Sequence, residues 1–352
     1  MKCLVNFTAC EYRGKGMSLY DLKYRVWNCV VMRIGKGTAG QRSRDGTGMW
    51  QDNESGTVQD NKTGMRKDNG SGTVQVTGMD DEKKLKELRK KIFFIGCKGG
   101  MAHLASCYSC LEILYALYVK GVLKLDAANP KWSGRDRFIL SKGHAGLALY
   151  TVMAEAGLLS WEECASYMQP GGGLGGEPCM RDSVWVEATT GSLGHGLPFA
   201  QGMAMALKAE GNPARVFVLL GDGECEEGSV WEAAMTASAF GLERLTVILD
   251  CNEIQKMDFV NKTIGEPVWR EKWSAFGWQV DEVDGHDIAA LERCLQEENH
   301  TGKPRLVIAH TVKGKGVSIM ENNPNWHFKL PSSKKEWKVF REELGISEEE
   351  MG

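Results

Sequence analysis

Val216-Phe-Val-Leu-Leu220 runs directly into Gly221-Asp222-Gly223-Glu224, and Leu245-Thr-Val-Ile-Leu249 runs into Asp250, with Asn252 just beyond. The first run is continuously apolar, the pattern of a strand covered on both faces, and the second reads as another buried strand. Between them, Ser229 to Phe240 reads as an Ala-rich helix. Parallel strands joined by one helix place their following loops at the same sheet edge, at the carboxyl ends. Asp222 and Asn252 are therefore expected to converge.

Gly221 and Gly223 leave room for a diphosphate to approach the backbone and permit unusual dihedrals. Asp222 offers a hard anionic oxygen and Asn252 a neutral amide oxygen. With a backbone carbonyl, a water and two diphosphate oxygens they would complete a six-oxygen shell, which suits Mg²⁺ or Ca²⁺. A Gly-Asp-Gly alone also reads as a plain turn. Its position between a buried strand and a helix, with an Asn after the next strand, makes the pattern much more specific.

Working outward, Trp278 to Val283 and Leu306 to Ala309 read as two more buried strands, with a helix at Ile288 to Glu297 between them. Upstream, Asp80 to Ile95 reads as a charged helix with Leu85, Leu88 and Ile92 at three- and four-residue spacing. Ser109 to Lys120 reads as a buried helix, Phe138 to Leu140 as a short strand, and Leu147 to Ala156 and Leu197 to Glu210 as helices. Gly171 to Gly176 reads as a glycine-rich loop. The order predicts an α/β fold, a parallel sheet flanked by helices. After Pro331 only a short charged helical tail, 332–352, is expected.

Residues 1–79 differ from the rest. Ser55-Gly-Thr-Val-Gln59 returns as Ser71-Gly-Thr-Val-Gln75, and Thr-Gly-Met recurs, ending at Met49, Met65 and Met79. Large apolar residues are few, so the segment cannot bury enough surface to offset its ordering entropy. It is expected to be a disordered or non-native extension, with the functional protein starting near Met79 and its domain spanning 80–331.

The 352 residues are 42% hydrophobic and 25% charged, with a net charge of −3, which gives no electrostatic case for nucleic acid. No apolar run approaches the roughly 20 residues of a membrane span, and Met1 to Cys10 has no sustained apolar core, so no secretory leader is expected. The 11 cysteines have no framework-like spacing and read as free thiols in a reducing cytoplasm. Cys107 and Cys110, without a second pair, read as packing residues.

Gly221-Asp222-Gly223 with Asn252 resembles the thiamine diphosphate motif, and Gly221-Asp-Gly-Glu-Cys-Glu-Glu-Gly-Ser-Val-Trp-Glu-Ala233 resembles transketolases in particular. Ser141-Lys-Gly-His144 resembles that family's first-half histidine loop, and Thr190-Gly-Ser-Leu-Gly-His-Gly196 its cofactor loop. Lys313-Gly-Lys-Gly-Val317 and Met320-Glu-Asn-Asn-Pro-Asn-Trp-His327 resemble the end of its first domain. The match covers about 80–331, like the N-terminal subunit of a split, two-chain transketolase.

The resemblance implies that Asp222, Asn252 and the carbonyl of Ile254 bind the metal, and that Gly191, Leu193, Gly221 and Gly223 line thiamine diphosphate. It implies that His144 and His327 lie near the diphosphate and the reacting centre, that His103 faces substrate, and that Glu227 lies at a contact between halves or subunits. Ketol transfer needs proton donors beside a developing alkoxide, a task imidazoles suit. His195 and His286 read as structural; His300 and His310 carry no readable signal. Glu177 stands in Gly176-Glu177-Pro178 where the family often has Gly-His-Pro, adding negative charge near the substrate. Phe328 stands where a Gly is common, narrowing the entrance.

The resemblance further implies transfer of a two-carbon ketol unit between sugar phosphates, as in the pentose phosphate pathway, in the cytoplasm. The family's pyrimidine-binding domain is missing, so a C-terminal transketolase subunit is expected as partner, by analogy in an α2β2 assembly. The competing readings are the α-type subunit of a 2-oxo acid dehydrogenase and a non-catalytic half that binds cofactor and regulates a partner. Deoxyxylulose phosphate synthesis fits less well, since that enzyme is one long chain.

Overall fold

The computed structural model describes residues 78–351. The first helix, α1 (Gly78–Gly99), buries Leu85, Leu88 and Ile92, the stripe its spacing specifies. The helix read at Ser109 to Lys120 is α3 (Leu111–Tyr118), and a short α2 (Leu104–Ser109), absent from the sequence reading, precedes it across a break at Cys110. Both are almost wholly buried, so no polar face marked the break in the sequence. The Cys110 thiol donates back to the Ser106 carbonyl at 3.3 Å, and the Ser109 hydroxyl turns towards Asp250. Cys107 and Cys110 are buried packing residues, and every described cysteine is a free thiol.

After β1 (Arg137–Leu140), a 3-10 turn at Gly143–Ala145 leads into α4 (Gly146–Glu155). A short α5 (Trp161–Ala165), absent from the sequence reading, starts at a capping box formed by Ser160 and Glu163. Then come α6 (Gly196–Ala209), β2 (Val216–Gly221), α7 (Gly228–Ala239) and β3 (Leu245–Cys251). Two further short helices, α8 (Val260–Ile264) and α9 (Trp269–Ala275), precede β4 (Gln279–Asp284). The described chain continues through α10 (Ile288–Gln296), β5 (Arg305–His310) and α11 (Lys334–Leu344).

All five strands pair in parallel in the order β1-β2-β3-β5-β4. Because strand side chains alternate between faces, each central strand feeds two apolar layers. Phe217, Leu219, Ile248 and Val307 pack with α1, α3 and α4. Val218, Leu220, Val247, Leu249 and Ile308 pack on the other face with α6 and α7.

One strand departs from expectation. β4 is not buried: β5 inserts between it and β3, leaving β4 at the edge with Gln279, Asp281 and Glu282 partly exposed. Its four polar residues outnumber Val280 and Val283, which sit on opposite faces and pack against the two different apolar layers.

The charged tail helix α11 has an apolar face that packs on α1, where the Phe340 ring stacks on Phe93 at 4.8 Å. Apart from the start of α1, the extension expected over 1–79 lies outside the described residues. Among the described residues, no helix is long and apolar enough to cross a membrane.

Candidate functional site

The register of β2 on β3 sets Gly221 beside Asp250, so the residues that follow them leave the sheet side by side. Asp222 accepts from the Gly223 backbone N–H at 2.8 Å and from that of Glu253 at 2.5 Å. Asn252 Oδ1 accepts from the Ile254 N–H at 3.1 Å. Asp222 and Asn252 are buried, as is Ile254. Burial, and then the charge of Asp250, raise the Asp222 carboxyl to about 6. An anion disfavoured in this way is a natural partner for a cation.

Ten site positions are expected from the sequence: His103, His144, His327, Gly191, Leu193, Gly221, Asp222, Gly223, Asn252 and Ile254. All ten line one cavity of about 330 Å³ at the carboxyl edge of the sheet. Residues with no assigned role in that reading line it as well: Lys142, Glu224, Gln255, Lys256 and Lys313.

Two lysines stand close to the oxygens of Asp222 and Ile254. Lys142 forms a buried ion pair with Asp250, whose carboxylate also accepts from Ser109 and Thr311. Burial opposes both charges, yet each partner holds the other ionised: Lys142 lies above its ordinary value and Asp250 below. Lys313 Nζ donates to the Ile254 carbonyl at 2.6 Å and meets His327 Nδ1 at 3.2 Å. Burial, and then Lys142, lower Lys313 to about 8. Both lysines sit inside motifs quoted above, but only packing reveals where their long side chains end.

The three imidazoles form a triangle. Ring centroids are 5.1 Å apart for His103 and His144, 5.4 Å for His103 and His327, and 5.7 Å for His144 and His327. Burial, and then the nearby ammonium groups, lower His103 to about 4 and His327 to about 3; His144 also falls well below its ordinary value. All three are neutral at pH 7. An ammonium can only donate, so Lys313 assigns the acceptor role to His327 Nδ1 and leaves the ring proton on Nε2. The Phe328 ring covers His103 with centroids 4.4 Å apart.

The cofactor loop is held by close contacts. Gly191 has φ +125°, and a Cβ there would fall 1.9 Å from Glu177 Oε2. A Cβ on Gly143 would meet the Gly191 nitrogen at 2.6 Å. Glu224 ties the same loop to the strand end, accepting from Ser141 Oγ, Gly194 N and Gly221 N at 2.5, 2.8 and 3.1 Å.

The other histidines stand apart from this cavity. His195 is exposed beside the Leu193 carbonyl. His286 Nε2 accepts from the Val312 N–H at 2.8 Å and faces Glu112, itself paired with Arg89, so it braces the loop that carries Lys313. His300 and His310 pair with surface glutamates. Glu227 is exposed.

A metal site here would be built from one carboxylate, one amide and one carbonyl. Among the described residues no group of three or more His, Cys, Asp or Glu side chains offers another. The oxygen set fits a hard cation, and of the glycines bordering Asp222, Gly221 leaves its Cβ side free of close contacts.

Residues 97–351 match the family described as transketolase, thiamine diphosphate binding domain. Over 253 residues the chain is 40% identical to one of the subunits of apulose-4-phosphate transketolase from Actinobacillus succinogenes, covering 71% of this chain and 91% of that protein. It is 38% identical over 250 residues to 6-deoxy-6-sulfo-D-fructose transketolase subunit SqwG of a Clostridium species, covering 70% of this chain and 90% of that one. Among solved structures, transketolase from Campylobacter jejuni superposes with a TM-score of 0.67 at 29% identity. The alignment covers 75% of this chain and 43% of the solved one, so the chain spans less than half of that enzyme's length.

Proposed function

The chain belongs to the transketolase family, and on that premise we propose that it is the N-terminal subunit of a two-chain transketolase, moving a two-carbon ketol unit from a ketose phosphate to an aldose phosphate. The observation that carries the reading is the convergence of Asp222, Asn252 and the Ile254 carbonyl at one strand edge, facing a triangle of neutral imidazoles. Similarity to subunits of split transketolases favours it over the α-type subunit of a 2-oxo acid dehydrogenase.

In this reading Asp222, Asn252 and Ile254 hold Mg²⁺ or Ca²⁺, and the cation anchors the diphosphate. Gly191, Leu193, Gly221 and Gly223 line the cofactor. Thiamine diphosphate supplies the carbon nucleophile that ketol transfer requires. His327 presents its Nε2 proton towards an oxygen that gains charge, with Lys313 fixing the tautomer. His103 and His144, neutral at pH 7, accept or return a proton without the cost of starting as cations.

The partner is a C-terminal subunit with the pyrimidine-binding domain, in an α2β2 complex, in the cytoplasm. Residues 80–331 are the cofactor-binding domain, 1–79 an extension outside it and 332–352 a tail seated on α1. Co-expression with a candidate partner, followed by a ketol-transfer screen over ketose phosphates, tests the reading. Activity is expected only from the two chains together; robust transfer by this chain alone would overturn the split-enzyme proposal.

A further inference from the structure

Behind the cavity, Arg89, Glu112 and His286 meet, and none of them lines it. Arg89, from α1, and Glu112, from α3, form a buried ion pair. His286, in the turn after β4, stands with its Nδ1 3.2 Å from the other oxygen of the same carboxylate. Burial works against the Glu112 charge, yet Arg89, and then His286, hold that carboxyl below its ordinary value.

The cluster grips one short turn at two points. Arg89 Nε donates to the Lys315 carbonyl at 2.9 Å, and His286 Nε2 accepts from the Val312 N–H at 2.8 Å. Lys313 lies between the two grips. On the far side of the turn the Gly314 N–H donates to the Ala105 carbonyl at 3.0 Å, in α2 just after His103. The turn is thus fixed from below by the cluster and from above by the helix that follows His103.

The ring proton of His286 follows from these contacts. A backbone N–H can only donate, so Nε2 is bare and the proton sits on Nδ1, facing Glu112. A proton on Nε2 would set two donors against each other and break the grip on Val312. Arg89 supplies the positive charge that Glu112 needs, and the imidazole is left neutral.

We propose that Glu112 and His286 are positioning residues that act through the 312–315 turn to hold the Lys313 ammonium against the Ile254 carbonyl and His327 Nδ1. Glu112 seats Arg89 on one end of the turn and sets the ring proton of His286 at the other, so one carboxylate fixes both grips. The effect on catalysis rests on the transketolase reading of the cavity; the positioning of Lys313 does not.

Two measurements separate the contact from its effect. Full-length chain isotope-labelled at the histidine ring nitrogens gives an NMR signal for each, and the His327 signals are those absent from His327→Gln. His286→Leu removes the grip on Val312. The His327 Nδ1 signal should then move towards that of an imidazole nitrogen without a hydrogen bond, as the ammonium withdraws. His286→Gln keeps an acceptor for Val312 and should restore the wild-type position. Arg89→Met combined with Glu112→Met removes both buried charges at once, which a fold tolerates better than the loss of one. That double variant should move the signal as His286→Leu does. In the complex with the partner subunit, kcat per cofactor site is measured at saturating thiamine diphosphate and Mg²⁺. It should fall about tenfold in His286→Leu and in the double variant, since a small misplacement is enough. KM for a ketose phosphate should change little, and His286→Gln should stay near wild type. An unmoved signal or an unchanged kcat in folded variants would overturn the proposal and leave the transketolase reading intact. A wild-type complex without ketol transfer, with the signals moving as stated, would overturn that reading and leave the positioning of Lys313 standing.

Discussion

The amide nitrogen of Asn252 donates to the carboxylate of Asp250 at 3.1 Å, and this contact decides which way the amide faces. With the nitrogen held there and by Ser109, the oxygen points to the side where Ile254 donates to it. Asp250 owes its position to strand alternation: it shares the face of Ile248, directed at α2 and Lys142. One buried carboxylate thus orients an amide oxygen and fixes an ammonium.

Asp250→Asn should therefore do two kinds of damage. It leaves the Lys142 ammonium buried without its counter-charge, which costs about 3 kcal/mol or more. It also frees the Asn252 amide to turn, and affinity for thiamine diphosphate with metal should fall about tenfold or more. Urea unfolding reads the first effect and calorimetry the second. A variant with wild-type stability would contradict the buried pair.

Gly191→Ala should be costly for two separable reasons. Its φ of +125° strains any residue with a side chain, and the new methyl meets the Glu177 carboxylate. We expect a loss of about 2 kcal/mol, of which about 1 kcal/mol remains when Glu177 is also changed to Ala. A double-mutant cycle by urea unfolding measures the coupling. Strict additivity would mean that the two side chains do not compete for the same space.

The imidazoles make acid stability a readout of the site. His103 titrates at about 4 in the fold, against an ordinary value of 6.5. Between those values the unfolded chain binds more protons, so stability rises with pH and is lost as the pH falls from 6.5 towards 4. His103→Gln removes this term and should flatten the unfolding free energy over that window. Urea midpoints at pH 7 and pH 5 check it; an identical acid dependence in the variant would contradict a neutral, buried His103.

The legible parts of this molecule were those where local pattern and tertiary environment agree. Two largely apolar runs, each ending in a short polar turn, were enough to place β2, β3 and the Asp222–Asn252 edge. The short α2 left no trace, because it is buried all round and shows no amphipathic period. The edge position of β4 depends on β5 inserting between it and β3, a topological choice that local sequence does not encode, although the polar Gln279-Val-Asp-Glu-Val-Asp284 stretch carried a hint. Lys142, Lys256 and Lys313 entered the site through the reach of flexible side chains. The tail was read from its charges, while Phe340 and Leu344, which bury it, are two apolar residues in a charged helix.

The most direct measurement is calorimetric titration of the two-chain complex with thiamine diphosphate and Mg²⁺, comparing wild type with Asp222→Asn. The amide keeps the shape and a hydrogen-bond acceptor but lacks the charge proposed to hold the cation. Affinity should fall at least about a hundredfold, with the melting temperature of the cofactor-free protein not lowered, since burial and Asp250 already disfavour that charge. Unchanged affinity in a folded variant would contradict the assignment of Asp222 and Asn252 as the cation-holding pair.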